Sequence, residues 1–296
     1  MSNPGPQEGR AHSPLRQLQS QRLRILFTYT LSFLENICEL LYPWAIGAAV
    51  NGLIAGDAKW IWPLIILWIV HVIIGLARQL YDTRLFSRLN ADMSVRAVEL
   101  QRAGGVSVGR ISARIEMIEE LIVFLEENFP LILAAAVNLL GALLFLFLYD
   151  GLSGLVFIGL FVPIALINFV TGRRAYATNK LLNSEWERQV NAINERRKLR
   201  WRLHFGRMAK WRIRLSDLNA ISWSSAQLLV MIAAVFILLR STSLPGIQAG
   251  DILAMLAYAF IIEQRVDEIP DIVQQSGRLA DIVRRIKSPR PEQRSR

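Results

Sequence analysis

Long uncharged stretches separated by short polar breaks dominate the hydropathy pattern of this chain. Trp60 to Ala77 is apolar apart from His71, and Asn128–Tyr149, Gly151–Gly172 and Leu218–Leu239 carry no charge at all. About 18 to 20 such residues cross a ~30 Å hydrocarbon core at ~1.5 Å per residue. Lipid offers the backbone no hydrogen bonds, so these runs are expected to be helices. A first span is expected from Leu23 to Ile54, closed by a turn at Gly56-Asp57. The second begins at the Trp60/Trp62 pair and runs past Arg84 and Arg88 to Gly104-Gly105. The third starts near Ser107, with Ile111, Ile115, Ile118 and Ile122 at helical spacing, and ends at Asp150-Gly151. The fourth continues as a polar helix to about Arg197, and the fifth runs from near Arg207 to Arg240. The sixth is the weakest signal: Ile252–Ile262 gives an uncharged run of 11 residues before Glu263, Arg265, Asp267 and Glu268.

The expected organisation is a disordered tail over residues 1–12, a six-helix domain over 13–286 and a polar tail over 287–296. Ser13–Arg22 alternates Leu with Arg and Gln, as an interfacial helix does.

Charge placement then orients the spans. The net charge is +10 with 34 Lys and Arg, of which 30 fall in segments on one side if six helices alternate; Lys59 and Arg240 fall opposite. Positive loops stay in the cytoplasm, so both termini are expected inside, in a bacterial inner membrane. The basic run from Glu195 to Arg214 is expected to meet anionic lipid headgroups, the alternative being a docking surface for an ATPase or another acidic partner; no nucleic-acid partner is expected. The single cysteine, Cys38, leaves no partner for an intrachain disulfide and excludes a zinc cluster. No compact ligand motif is present, so neither a metal nor a cofactor is expected.

Gly109-Arg110-Ile111-Ser112-Ala113-Arg114-Ile115-Glu116, then Phe124-Leu125-Glu126-Glu127 and Pro130, resembles the entry into the third helix of the six-helix transmembrane domain of ABC exporters of the multidrug and lipid-flippase type. Leu203-His204-Phe205-Gly206-Arg207 through Arg214-Leu215-Ser216-Asp217-Leu218-Asn219 resembles its approach to the fifth. Gly250-Asp251-Ile252-Leu253-Ala254 with Tyr258, Pro270 and Ser276-Gly277-Arg278-Leu279 resembles its sixth. The resemblance covers roughly Arg22 to Ile286. It implies a domain-swapped homodimer with long cytoplasmic extensions, whose fourth and fifth helices pack on the partner around a central cavity. It also implies two inner loops that press on ATPase domains, centred here on Gly104 and Gly105 and on Lys198, Leu199, Arg200 and Trp201.

A phosphate-cradling loop needs G-x-x-x-x-G-K-[ST], and these residues contain no Gly-Lys pair. The chain is therefore expected not to be an enzyme and to hydrolyse no ATP itself. Two routes stay open: a separate ATPase subunit on the inner loops, or a secondary transporter driven by an ion gradient. A non-transporting scaffold is the third.

Ionisable side chains inside membrane helices cost about 2.5–3.5 kcal/mol each and usually face a cavity or a partner. Glu35 and Glu39 are four apart, hence on one helix face. Counting ~1.5 Å per residue, they lie ~18 and ~24 Å along the helix from Leu23, and His71 lies ~16 Å from Trp60. Two carboxylates in a low dielectric do not both ionise cheaply, which suits one of them to carry a proton. Glu35, Glu39, His71, Glu263 and Arg265 are thus the candidate coupling or substrate residues. The alternative is that Arg78 and Arg265 simply pair with the carboxylates. Glu126 and Glu127 are expected at the inner boundary of the third span with no particular role, and Asn138, Asn168 and Gln227 in interhelical hydrogen bonds.

Overall fold

A computed structural model describes residues 18–195, 197–266 and 268. The expected tails, the first half of the interfacial segment 13–22 and the stretch beyond Glu268 lie outside the described residues. Seven helices have defined ends: α1 (Arg22–Ile54), α2 (Ile61–Ala103), α3 (Val108–Val123), α4 (Phe129–Tyr149), α5 (Gly151–Glu187), α6 (Gln189–Asn194) and α7 (Lys198–Ser241). An eighth, α8, occupies 249–266, and no strand occurs among the described residues. A 3₁₀ turn, Ala58–Trp60, precedes α2, and a π-helical turn, Phe124–Asn128, joins α3 to α4.

Among the described residues, five helical stretches are long and apolar enough to cross a membrane: Arg22–Ile54, Ala58–Ala103, Val108–Tyr149, Gly151–Glu187 and Lys198–Ser241. The protein is a multi-pass, all-helical membrane protein. With 43 and 44 residues, α2 and α7 are roughly 65 Å long, about twice the hydrocarbon thickness. Their polar halves therefore project well beyond the bilayer.

The turns between spans are built on glycine. Gly56, Gly105 and Gly246 adopt φ of 80°, 67° and 75°, a left-handed conformation that costs other residues a Cβ clash. Two spans differ in extent from expectation. The fourth breaks at Arg188 rather than Arg197, and the fifth begins at Lys198, nine residues before Arg207. The Lys198–Trp201 segment is thus the first turn of α7, not a loop.

The chain divides into two compact units. The first comprises residues up to Gly141 and those from Gln264 onward. Here α1 packs along α2, and α2 along α3. Phe86, Leu89, Met93 and Ala97 recur at helical spacing on α2 and meet Ile118 and Ile122 of α3 in a buried core. Backbones approach closely where side chains vanish: Gly141 faces the Leu40 side chain, and Gly52 faces Trp60.

The second unit, Ala142–Glu263, is organised on an α5–α7 pair. Ala226, Val230, Ala233 and Ile237 form its buried stripe on α7, with Phe157 and Ile164 on α5. On α8, Tyr258 is fully buried and stacks on Phe145 with ring centroids 4.8 Å apart. Polar clamps close both ends of this pair. At one end, Asp150 caps α5 by accepting from the Ser153 amide (2.9 Å) and hydroxyl (2.7 Å), and Arg240 approaches it at 3.5 Å. At the other, buried Glu185 meets His204 Nδ1 and Arg207 Nε, each at 3.3 Å.

Candidate functional site

The charged residues of the first unit converge on one face of α1. Ser32, Glu35, Asn36 and Glu39 follow at i, i+3, i+4 and i+7, so all four point the same way. They line a cavity of about 590 Å³ with His71 and Arg78 of α2, Glu126, Glu127, Pro130, Leu131 and Ala134, and Arg265 of α8. Pro43, one turn beyond Glu39, lacks the amide that would close the helical bond to the Glu39 carbonyl.

Each arginine is shared between two carboxylates. Arg78 donates through Nε to Glu35, and through Nη1 to Asp82 at 3.1 Å. Arg265 donates through Nη2 to Glu39 at 3.3 Å and through Nη1 to Glu268 at 3.0 Å. Asn138 links the groups on α1, its amide donating to Asn36 Oδ1 at 3.2 Å and Glu39 Oε2 at 3.1 Å. His71 sits at the cavity wall, its Nδ1 paired with the Tyr42 hydroxyl at 2.6 Å. Among the described residues, Asp82 Oδ1, Asn138 Oδ1 and Arg265 Nε are buried with no hydrogen-bond partner.

The charge balance of this site is uneven. Four carboxylates, Glu35, Glu39, Glu126 and Glu127, line the cavity with two arginines, Arg78 and Arg265, which also pair with Asp82 and Glu268 outside it. Carboxylates in excess of their arginines are costly in a low-dielectric surrounding, and binding a proton or a cation lowers that cost directly. The arrangement is suited to exchange protons or to hold a positively charged group.

Four of the five residues singled out from the sequence, Glu35, Glu39, His71 and Arg265, line this cavity. Both pairings considered there occur, Glu35 with Arg78 and Glu39 with Arg265. Glu263 belongs to the second unit, where Gln227 of α7 donates to it. Asn168 likewise accepts from Ser222 at 2.6 Å in an interhelical bond.

Glu126 and Glu127, for which no particular role was expected, both line the cavity. The cause is the π turn, one residue wider than an α turn, which presents both side chains at the entry to α4. Tyr29 of α1 donates to the Leu125 carbonyl inside that turn at 3.1 Å. No hydrophobic periodicity announces a π turn, and the adjacent Glu-Glu pair was the only available signal. Asp82 was also missed, its burial set by Arg78 one turn away.

The two segments expected to dock a partner are placed as follows. Gly104 and Gly105 form the turn between α2 and α3, with Val108 just beyond at 77% exposure. Lys198, Leu199, Arg200 and Trp201 open α7, with Leu199 at 70% exposure and Arg200 paired to Glu195 at 3.1 Å.

Long membrane helices with polar extensions, around a charged cavity reached from α1, α2, α4 and α8, define the membrane domain of a transporter. The protein-family model described as ABC transporter transmembrane region matches residues 15–250, about four fifths of the chain. The chain belongs to that family. No curated protein matches it significantly.

Proposed function

We propose that this protein is a gradient-driven, proton-coupled transporter that works as a homodimer of six-span subunits by alternating access. The observation that carries the reading is a cavity lined by four carboxylates, Glu35, Glu39, Glu126 and Glu127, and two arginines that Asp82 and Glu268 engage as well. With Glu39 ionised, its bond to Arg265 ties α1 to the end of α8. Protonation of Glu39 weakens that charge-assisted bond and frees Arg265 for Glu268 alone. Glu35 and Arg78 make the equivalent contact between α1 and α2. A proton thus changes the free-energy difference between two arrangements of α1 against its neighbours, which is all that coupling requires. In this scheme the fourth and fifth spans, here the α5–α7 pair, pack on the partner subunit, and Glu263 joins the coupling set in the assembled dimer.

One observation favours a second reading, the membrane subunit of a split ABC transporter. Val108 and Leu199 are large apolar residues left exposed at turns that protrude from the membrane, where a separate ATPase chain would seat. Family membership is compatible with both readings. Purifying the tagged protein from its native membranes and identifying co-purifying chains by mass spectrometry separates them. A homodimer free of ATPase supports the first reading. A stoichiometric ATPase partner refutes it and turns attention to Gly105 and Leu199.

A further inference from the structure

The three arginines Arg24, Arg84 and Arg88 play no part in the carboxylate cavity. They line a second cavity, of about 370 Å³, between the start of α1 and the middle of α2. Tyr81, Leu85, Leu89 and Asp92 complete its wall with Gln21. Three guanidiniums against one carboxylate leave a formal charge of +2. Arg84 donates to the Leu80 carbonyl at 2.6 Å; among the described residues none of the three has an ion-pair partner.

Their depth is informative. Arg24 lies 30 residues from Ile54 at the far end of α1, roughly 45 Å along the axis. Arg84 and Arg88 lie 24 and 28 residues from Trp60, roughly 36 and 42 Å. A bilayer has ~30 Å of hydrocarbon and about 40–45 Å with its headgroups. All three arginines therefore reach the same headgroup layer, arriving on two adjacent helices. Tyr81 stands just above them toward the apolar region, edge-on to Phe27 at 5.2 Å, as interfacial aromatics do.

The geometry points to a binding site for the phosphate of an anionic phospholipid, seated between Arg24, Arg84 and Arg88. Arg84 and Arg88 are one turn apart and present two forked donors to one anion, a geometry that suits phosphate better than a point charge would. Leu85 and Leu89 give the lipid an apolar floor beneath its headgroup.

The test is lipid retention by the delipidated full-length protein, measured by native mass spectrometry during titration with phosphatidylglycerol or phosphatidylcholine. The wild type retains phosphatidylglycerol preferentially. In Arg84→Gln/Arg88→Gln the preference falls roughly 30-fold, at ~1 kcal/mol for each of the two headgroup-level arginines, while phosphatidylcholine retention is unchanged. Arg110→Gln, in the exposed first turn of α3, leaves the preference intact. Should the double variant fail to fold, the wild-type preference must still fall with added salt. Equal retention of the two lipids, or a preference untouched by variant and salt, overturns the site. Displacement of phosphatidylglycerol by free glycerol phosphate at equal concentration overturns the lipid assignment in favour of a soluble phosphate.

Discussion

The two units use charge in opposite ways. In the first, Glu35 and Glu39 lie midway along α1 and Arg78 midway along α2, and they line a cavity with Arg265 from the end of α8. In the second, ion pairs sit at the two ends of the α5–α7 pair, and apolar side chains with neutral hydrogen bonds fill most of the middle. Charge at a helix end anchors the fold where water is near. Charge held in mid-helix carries a desolvation cost that structure alone does not require, and so marks where ligand or proton chemistry belongs.

Four substitutions sharpen that contrast, taken from the largest effect to the smallest. Arg78→Leu in the first unit strands Glu35 and Asp82, and is expected to destabilise the protein by about 3 kcal/mol, the cost of breaking a buried ion pair from one side. Adding Glu35→Leu and Asp82→Leu should return most of that stability in thermal unfolding in detergent. Phe157→Ala in the second unit should cost about 2 kcal/mol, because in lipid the cavity term survives and the water-transfer term largely does not. That loss should be the same at every pH tested; a pH-dependent loss would blur the distinction between the units.

Gly141→Ala returns to the first unit, where the added Cβ would enter the space of the buried Leu40 side chain. A loss of about 1.5 kcal/mol in the same unfolding assay is expected. The smallest effect is at Asp150. Burial pushes its carboxyl up, but the Ser153 hydroxyl and amide and the Arg240 guanidinium outweigh this and hold it below the usual carboxylate range. Its folded form thus binds a proton less readily than its unfolded form. The stabilisation is complete above the unfolded carboxylate pKa and disappears as pH falls through the folded one. Asp150→Ala should cost about 1 kcal/mol at neutral pH and progressively less in acid.

Much of this molecule was legible in the sequence because lipid imposes a simple rule on it. Uncharged runs of sufficient length become helices, and their few ionisable residues turn inward, which is why Glu35, Glu39, His71 and Arg265 were found together. What stayed hidden depended on local geometry with no compositional trace. The π turn moved Glu126 and Glu127 from an unremarkable boundary into the cavity wall. The pairing of buried Glu185 with His204 joins residues nineteen apart on different helices and follows from how α5 packs on α7. The sixth helix had a weak signal because its apolar run ends at Glu263, just where the side chains begin to serve Gln227 and Glu39 instead of lipid.

The claim that a proton in the first unit's cavity shifts the protein between two states is tested most directly without a substrate. A spin label at Val108→Cys, on a Cys38→Ser background, reports distances between subunits by double electron–electron resonance. The wild type should change its distance distribution reversibly between pH 8 and pH 5.5, and Glu35→Gln/Glu39→Gln should hold the acidic distribution at both. An identical distribution at the two pH values, or a shift that persists in the double variant, would contradict proton coupling through these carboxylates.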